Sequence, residues 1–350
     1  MADLAASLGM SVPVVVAPMA GGPSTPELVA AAGEAGGFGF LPAGYQSAAW
    51  LAGQIEAVRA LSSRPFGVNV FLPGVPDADR AAIEAYARRL RPTADRLGVD
   101  LGDPHWDDDD YPAKLDLLAT APVAAVSFTF GNPPAADVQR LRRQGTAVLV
   151  TVTTPGEAAE VDADGLCVQG AEAGAHQGSF VDEATRPAGE GALPLRHLLL
   201  AVRAVTDLPL IAAGGLMTGG DLARVTALGA QAGQFGTAFL DCPEAGTNPT
   251  HRAALHSDAY RETAFTRAFT GRTARGLVNA FLAEHTGEAP AGYPWVHHLT
   301  RPVRAAAAKQ GDADALHLWA GTGWRQIRTM PAGELVTRIA AELAATSGMV

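Results

Sequence analysis

Short β-branched runs and longer Ala/Leu/Arg-rich runs alternate along the chain from Val12 onward. The first run, Val12–Met19 (VPVVVAPM), is apolar at nearly every position, as a strand covered on both faces has to be. A helix over Thr25–Gly36 follows it, with Ser24 or Thr25 as cap, Pro26 in the first turn and Gly36 as stop. The same pattern predicts further strands at Phe38–Ala43, Pro65–Leu72, Val123–Phe130, Ala147–Thr153, Gly165–Gln169, Leu208–Ala213 and Ala232–Phe239. Helices are predicted between them at Ser47–Leu61, Asp77–Leu90, Ala135–Gln144, Pro155–Val161, Leu193–Val205 and Thr218–Leu228.

Strictly alternating strands and helices make a parallel sheet with helices outside it. Eight such units in about 240 residues have the count and size of a TIM (β/α)8 barrel, predicted over 1–240 and completed by a C-terminal helix within about 317–350. An open doubly wound sheet is the rival. It would place G-x-G-x-x-G after the first strand, where this chain reads PMAGGPST. Two segments fall outside the alternation. Arg91–Leu115 is polar, carries the run Asp107–Asp110 and the pair His105–Trp106, and is expected to be an inserted solvated loop; it lacks EF-hand spacing. Asp241–Leu316 is helical in pattern without a strand, which suggests a small helical cap domain over the barrel mouth. Glu334–Ala345 then reads as an amphipathic helix returning to the barrel.

Composition narrows the partners. With 48% hydrophobic and 18% charged residues, the 350-residue chain has ample material for a core. Its net charge of −10 and lack of any basic run argue against nucleic acid. No apolar stretch is long enough to span a membrane, and Met1–Met10 has no basic residue of a signal peptide. Cys167 and Cys242 are too few for a disulfide framework and suit a reducing cytoplasm, the expected location.

In this barrel, chemistry belongs at the C-terminal ends of the strands. The only lysines, Lys114 and Lys309, lie on no predicted strand, which removes Schiff-base chemistry. Metal catalysis is also disfavoured: only Glu172 and His176 follow a strand closely, and the adjacent His297 and His298 cannot both face one ion. Glycine dominates instead, in IAAGGLMTGG (with Gly214 and Gly215) and GQFGTA (with Gly236 and Thr237) after the last two strands. Such turns bring backbone N–H groups to a phosphate, or are simply tight turns. Asn69 and Gln169 can donate and accept at once, as the heteroatom edge of a flavin requires, or merely close a polar barrel layer; Met19 is a cofactor contact or core filler. His176, in QGAEAGAHQG, is a general base or a bystander, with Glu172 orienting it or solvated beside it. As a base, its pKa would be tuned near neutrality. Cys167, mid-strand, is expected to be buried and inert.

These residues lie in stretches that resemble the nitronate monooxygenases of the 2-nitropropane dioxygenase family: VVVAPMAGGPSTPELVAAAGEAGGFGFLPAGY, PFGVNVFLP, VQGAEAGAHQGSF, PLIAAGGLMTGGDLARVTALGAQAGQFGTAFL, TRAFTGRTARGLVN and LWAGTGW. The resemblance implies an FMN-containing barrel that oxidises alkyl nitronates with O₂ to a carbonyl compound and nitrite. It would have Asn69, Gln169, Gly174, Gly215, Gln234, Phe235, Gly236 and Thr237 hold FMN, with His176 as base. The family's loop commonly reads A-G-G-H-R-G, and here Ala175 and Gln177 replace its second Gly and its Arg, removing a positive charge. The same resemblance extends to flavin enoyl reductases and NADH:quinone reductases, and a catalytically silent flavin-binding protein is a further alternative. Gly- and Ala-rich cap surfaces leave a homodimer open.

Overall fold

Period-2 alternation sorts each strand's side chains to the two sides of a closed sheet. The computed structural model describes residues 4–347. Its strands are β1 (Val14–Val16), β2 (Phe38–Pro42), β3 (Gly67–Phe71), β4 (Ala125–Thr129), β5 (Ala147–Val152), β6 (Gly165–Gln169), β7 (Ala175–His176), β8 (Leu210–Ala213), β9 (Ala232–Phe235), β10 (Thr263–Thr266) and β11 (Ala274–Leu277). All but β7, β10 and β11 form one closed parallel barrel, in the order β1-β2-β3-β4-β5-β6-β8-β9, and β9 pairs back onto β1. The predicted TIM barrel is what forms.

Outward residues such as Val14, Val16, Val68, Val70, Val126, Val148 and Val150 are buried under the helices. The inward residues change character along the barrel axis. At the N-terminal end Val15, Phe38, Phe40, Ala125, Leu149, Ile211 and Ala232 form an apolar plug, sealed below by Leu4, Leu8 and Met10. One pleat further along stand Asn69, Ser127, Thr151, Cys167 and Gln234, mostly polar. A barrel filled with hydrocarbon at one end and hydrogen-bonding groups at the other has one end suited to a polar ligand.

Local signals explain the helices. The Thr25 hydroxyl accepts from Leu28 N at 3.1 Å, and Ser47 caps Ala48–Leu61 in the same way. Thr154 with Glu157 and Thr218 with Asp221 form capping boxes. The final helix, Ala332–Ser347, packs on Gly219–Ala227 and Pro26–Glu34.

Four expectations need correction. The helix predicted to end at Leu90 runs over Arg80–Leu97, because Ala94 and Leu97 continue the buried stripe of Ile83, Tyr86 and Leu90 past Pro92. It ends at Gly98, in the left-handed region at φ +68°. The polar insertion is therefore not a loop throughout, since the helix Tyr111–Thr120 also begins inside it. The segment 241–316 is not purely helical: β10 and β11 form an antiparallel pair, and β7, from the loop after β6, joins β11 at the edge. Runs as short as TAFT and ARGL offer too few residues to show a period. The strand predicted to reach Phe239 stops at Phe235 and turns into a 3-10 helix, Thr237–Phe239. The cap core joins Arg80–Leu97 to Leu240, Phe269, Phe281, Val296, Val303 and Trp324, so the cap borrows a helix from within the barrel sequence.

The plug is testable. Leu8→Ala should lower the unfolding free energy by about 2–5 kcal/mol, as for other buried leucines, whereas Leu61→Ala, 52% exposed, should stay within about 0.5 kcal/mol. Denaturant midpoints of the two variants measure the difference.

Candidate active site

Gln169 ends β6 and faces the barrel mouth, and its amide organises the loop that follows. Its Nε2 donates to the carbonyl of His176 at 3.0 Å, and its Oε1 accepts from Gly178 N at 2.6 Å. The loop is thereby folded back over the strand end, and Ala175–His176 docks on β11 of the cap. Ala175 pays a local cost, sitting in the left-handed region at φ +61°. That is the position where the commoner motif carries glycine.

His176 is half-buried, and its Nε2 lies 2.8 Å from the Thr270 hydroxyl. Aromatic rings surround it, with centroids at 5.7 Å (Phe130), 5.9 Å (Trp319) and 6.1 Å (Tyr293). Desolvation, then the positive charges of Arg272 and Arg304, push its pKa down to about 3. This corrects the expectation of a value near neutrality: the ring is neutral at any physiological pH. Nor does Glu172 orient it, because that carboxylate accepts from Leu195 N at 2.9 Å and caps a helix.

Two further guanidiniums, Arg272 and Arg304, are drawn into this site and make no ion pair with a carboxylate among the described residues. Arg272 donates to the Ser179 carbonyl, lies 3.9 Å over the Phe130 ring, and leaves its buried Nε unpartnered. Arg304, 9% exposed, donates to the Thr300 hydroxyl and the His297 carbonyl. Burial lowers its pKa to about 10. Buried positive charge without a counter-ion favours an anionic ligand. Gln177 does replace the motif's arginine, but Arg272 and Arg304 bring positive charge to His176 from the cap.

A second wall comes from the acidic insertion. Asp109 accepts from Tyr45 N at 2.7 Å and pairs with Lys114 at 2.8 Å, while Asp110 accepts from Ala48 N at 2.7 Å. Tyr45, held at φ +68°, stacks on His297 with centroids 4.2 Å apart. The run of aspartates is thus a brace for the loop after β2, and Lys114 is fully buried.

The expected cofactor residues separate into groups. Asn69, in β3, donates to Ser127 Oγ and Thr129 Oγ1, both at 2.9 Å, within the polar layer. Gln234 donates to Cys167 Sγ at 3.3 Å across the same layer, and Cys167 is buried and free as expected. Gly214 and Gly215 adopt φ +120° and +71°, so the turn itself demands glycine there. Gly174 is a packing glycine, since a Cβ would lie 2.5 Å from Gly321 N. Gly236 differs: its φ is −104°, and a Cβ there would meet nothing nearer than 3.5 Å, with Met19 Sδ at 3.8 Å. Glycine at that point leaves space that neither backbone geometry nor packing requires. Thr237 Oγ1 accepts from Gly321 N at 2.9 Å, which draws the segment 318–324 to the glycine turns. Phe235 is not brought to the mouth: its side chain is fully buried under the helices, so only its backbone lies near.

The reading from sequence missed Tyr45, Phe130, Arg272, Tyr293, His297, Arg304 and Trp319. Tyr45, Arg272 and Trp319 stood within the matching stretches, but no spacing rule links the cap to a strand end.

The family model for nitronate monooxygenase matches residues 4–342. The chain belongs to the nitronate monooxygenase family. It is 38% identical over 346 residues to a nitronate monooxygenase of Pseudomonas aeruginosa, covering 96% of this chain and 97% of that one. The nitronate monooxygenase of Paraburkholderia phytofirmans is also 38% identical, over 96% of this chain and 93% of its own. Among solved structures, a nitroalkane oxidase from Streptomyces ansochromogenes superposes with a TM-score of 0.95 at 49% identity, covering 99% of this chain and all of that one. FabK from Thermotoga maritima shares the fold, with a TM-score of 0.76 at 24% identity over 99% of this chain and 97% of its own. The chain is an oxidoreductase of flavin-dependent nitronate oxidation. No described helix is long and apolar enough to cross a membrane.

Two predictions follow from the geometry. Ala175→Gly should raise stability by up to about 1 kcal/mol, the relief of left-handed strain less the entropy of the more flexible chain, read from denaturant midpoints. Below pH 6.5 an unfolded chain binds protons that the buried histidines refuse: His176 down to about 3, His251 to about 4, His297 and His317 well below the usual value. Stability from these groups is complete above pH 6.5 and is lost as pH falls toward 4. Asp109, raised to about 6 by burial, acts in the opposite sense but is one group against several. Thermal midpoints should therefore drop between pH 7 and 4, and His251→Gln should flatten that drop.

Proposed function

We propose that the site binds FMN at the barrel mouth and oxidises a preformed nitronate anion in preference to the neutral nitroalkane. The observation that carries this reading is a neutral histidine beside two guanidiniums that make no ion pair among the described residues. A nitronate is a resonance-stabilised carbanion, so it needs no base to become electron-rich, and it brings the negative charge that Arg272 and Arg304 lack. A histidine of pKa about 3 is a poor acceptor for a carbon-bound proton at neutral pH. As a neutral ring it can donate a hydrogen bond to a nitro oxygen, with Thr270 holding the other proton position.

The residues present fit FMN. The glycine turns after β8 and β9, at Gly214–Gly215 and Gln234–Thr237, would hold the phosphate, and the space at Gly236 admits it. Asn69 and Gln169, with Met19 beside Gly236, would meet the ring system. Gly174 would act through the packing of segment 318–324. When bound, FMN supplies an electron acceptor for the nitronate and the reaction with O₂ that yields a carbonyl compound and nitrite. The protein's part is to orient the anion and exclude water, which Phe130, Tyr293 and Trp319 do around His176. The two free, buried cysteines fit a reducing cytoplasm.

Two substitutions test this. Gly236→Leu should lower flavin occupancy of the purified protein, and the flavin released on denaturation should run as FMN; recovery of FAD would contradict the assignment. His176→Ala should reduce kcat/KM for a nitronate by about 10–100-fold, the loss of a hydrogen bond to a charged group, and for its neutral nitroalkane by a similar factor. A drop of about 10²–10⁴-fold on the nitroalkane alone would make His176 the base after all.

A further inference from the structure

We infer that His105, Asp107 and His298 form a divalent transition-metal site on the outer side of the active-site wall, stapling the acidic insertion to the cap helix Trp295–Gln310. One ligand atom from each residue lies within 4.8 Å of the other two. Ligands of an ion at about 2.1 Å stand roughly 3–4 Å apart, so the three need close by only about an ångström.

The individual groups are arranged as ligands are. His105 Nδ1 lies 2.9 Å from the Asp103 carbonyl, and donating there fixes the tautomer whose Nε2 lone pair is free. A second-sphere carbonyl of this kind commonly orients a metal-binding imidazole. His298 Nε2 stands 2.8 Å from Asp107 Oδ2, so the cap helix and the insertion already meet through two ligand-type atoms. The His105 and His298 rings stack at 3.9 Å and 16°, so ion binding requires one ring to turn out of the stack until both lone pairs meet.

The two halves of the site are held in place independently of any ion. Gly102 N donates to Leu299 O at 2.9 Å, and a Cβ at Gly102 would lie 2.1 Å from the His298 carbonyl, so the insertion lies directly on the helix. Trp106 Nε1 donates to Gly74 O at 3.1 Å and anchors the other side. The adjacency that keeps His297 and His298 from sharing an ion sends them to different jobs: His297 stacks on Tyr45, and His298 meets the insertion. Two imidazoles and one carboxylate favour Zn²⁺, Co²⁺, Ni²⁺ or Cu²⁺ over Mg²⁺ or Ca²⁺, with water completing the shell. The site lies apart from the residues proposed for FMN, so it stands or falls separately from the proposed function.

The test is calorimetric titration of Zn²⁺ into chelator-stripped, flavin-loaded protein, alongside His105→Ala, His298→Ala and Asp107→Asn. Wild type should bind one equivalent saturably, each variant should bind at least about tenfold more weakly, and Mg²⁺ should not compete. Zn²⁺ should raise the thermal midpoint of wild type and leave that of His105→Ala, an exposed substitution, unmoved. Absence of saturable binding up to about 1 mM would overturn the inference, as would an isotherm unchanged in the His105→Ala/His298→Ala double variant.

Discussion

The side-chain amide of Gln169 is the joint on which the site depends. By clasping His176 O and Gly178 N together, it turns the loop after β6 back across the barrel mouth and presents β7 to the cap sheet. Without that clasp, His176 would have no fixed relation either to the polar barrel layer or to the guanidiniums of the cap. Gln169 uses both ends of its amide in doing so, which is why an amide and not a carboxylate stands there. Asp182 completes the joint from the other side: it accepts from Arg267 at 2.7 Å and from Thr273 N at 2.8 Å, tying the loop after β7 to the turn that carries Arg272.

Electrostatics at this junction follow from burial. Two buried arginines without a carboxylate in contact are costly unless something anionic joins them. Burial first, and the same positive field second, keep His176 unprotonated, so the neutral ring follows from cover and charge together. The positive charge comes from the cap, whereas the barrel supplies the polar layer and the glycine turns.

Much of this was legible in the sequence. The eight barrel strands, the polar residues at their C-terminal ends and the glycine turns all announce themselves through local period and spacing. Gly236 leaves open space, while Gly174 and Gly214 carry the same letter for packing and backbone reasons that only neighbours reveal. The cap was harder. β10 and β11 are four residues each, and their partner β7 lies about a hundred residues earlier in the chain. Arg272 and Arg304 could not be told from surface arginines without knowing which lacked an acidic neighbour. The aspartate run looked like solvated surface, yet Asp109 and Asp110 brace Tyr45 and the helix that follows it.

The most direct test of a neutral His176 within a positive pocket is anaerobic rapid mixing of the flavin-loaded wild-type protein with freshly dissolved nitronate from pH 5 to 9, following bleaching of the flavin. The rate of bleaching should pass through pH 6.5 without inflection, because the histidine is unprotonated throughout, and the matched neutral nitroalkane should bleach far more slowly. A rate that titrates near pH 6.5, or equal bleaching by nitroalkane and nitronate, would contradict the account.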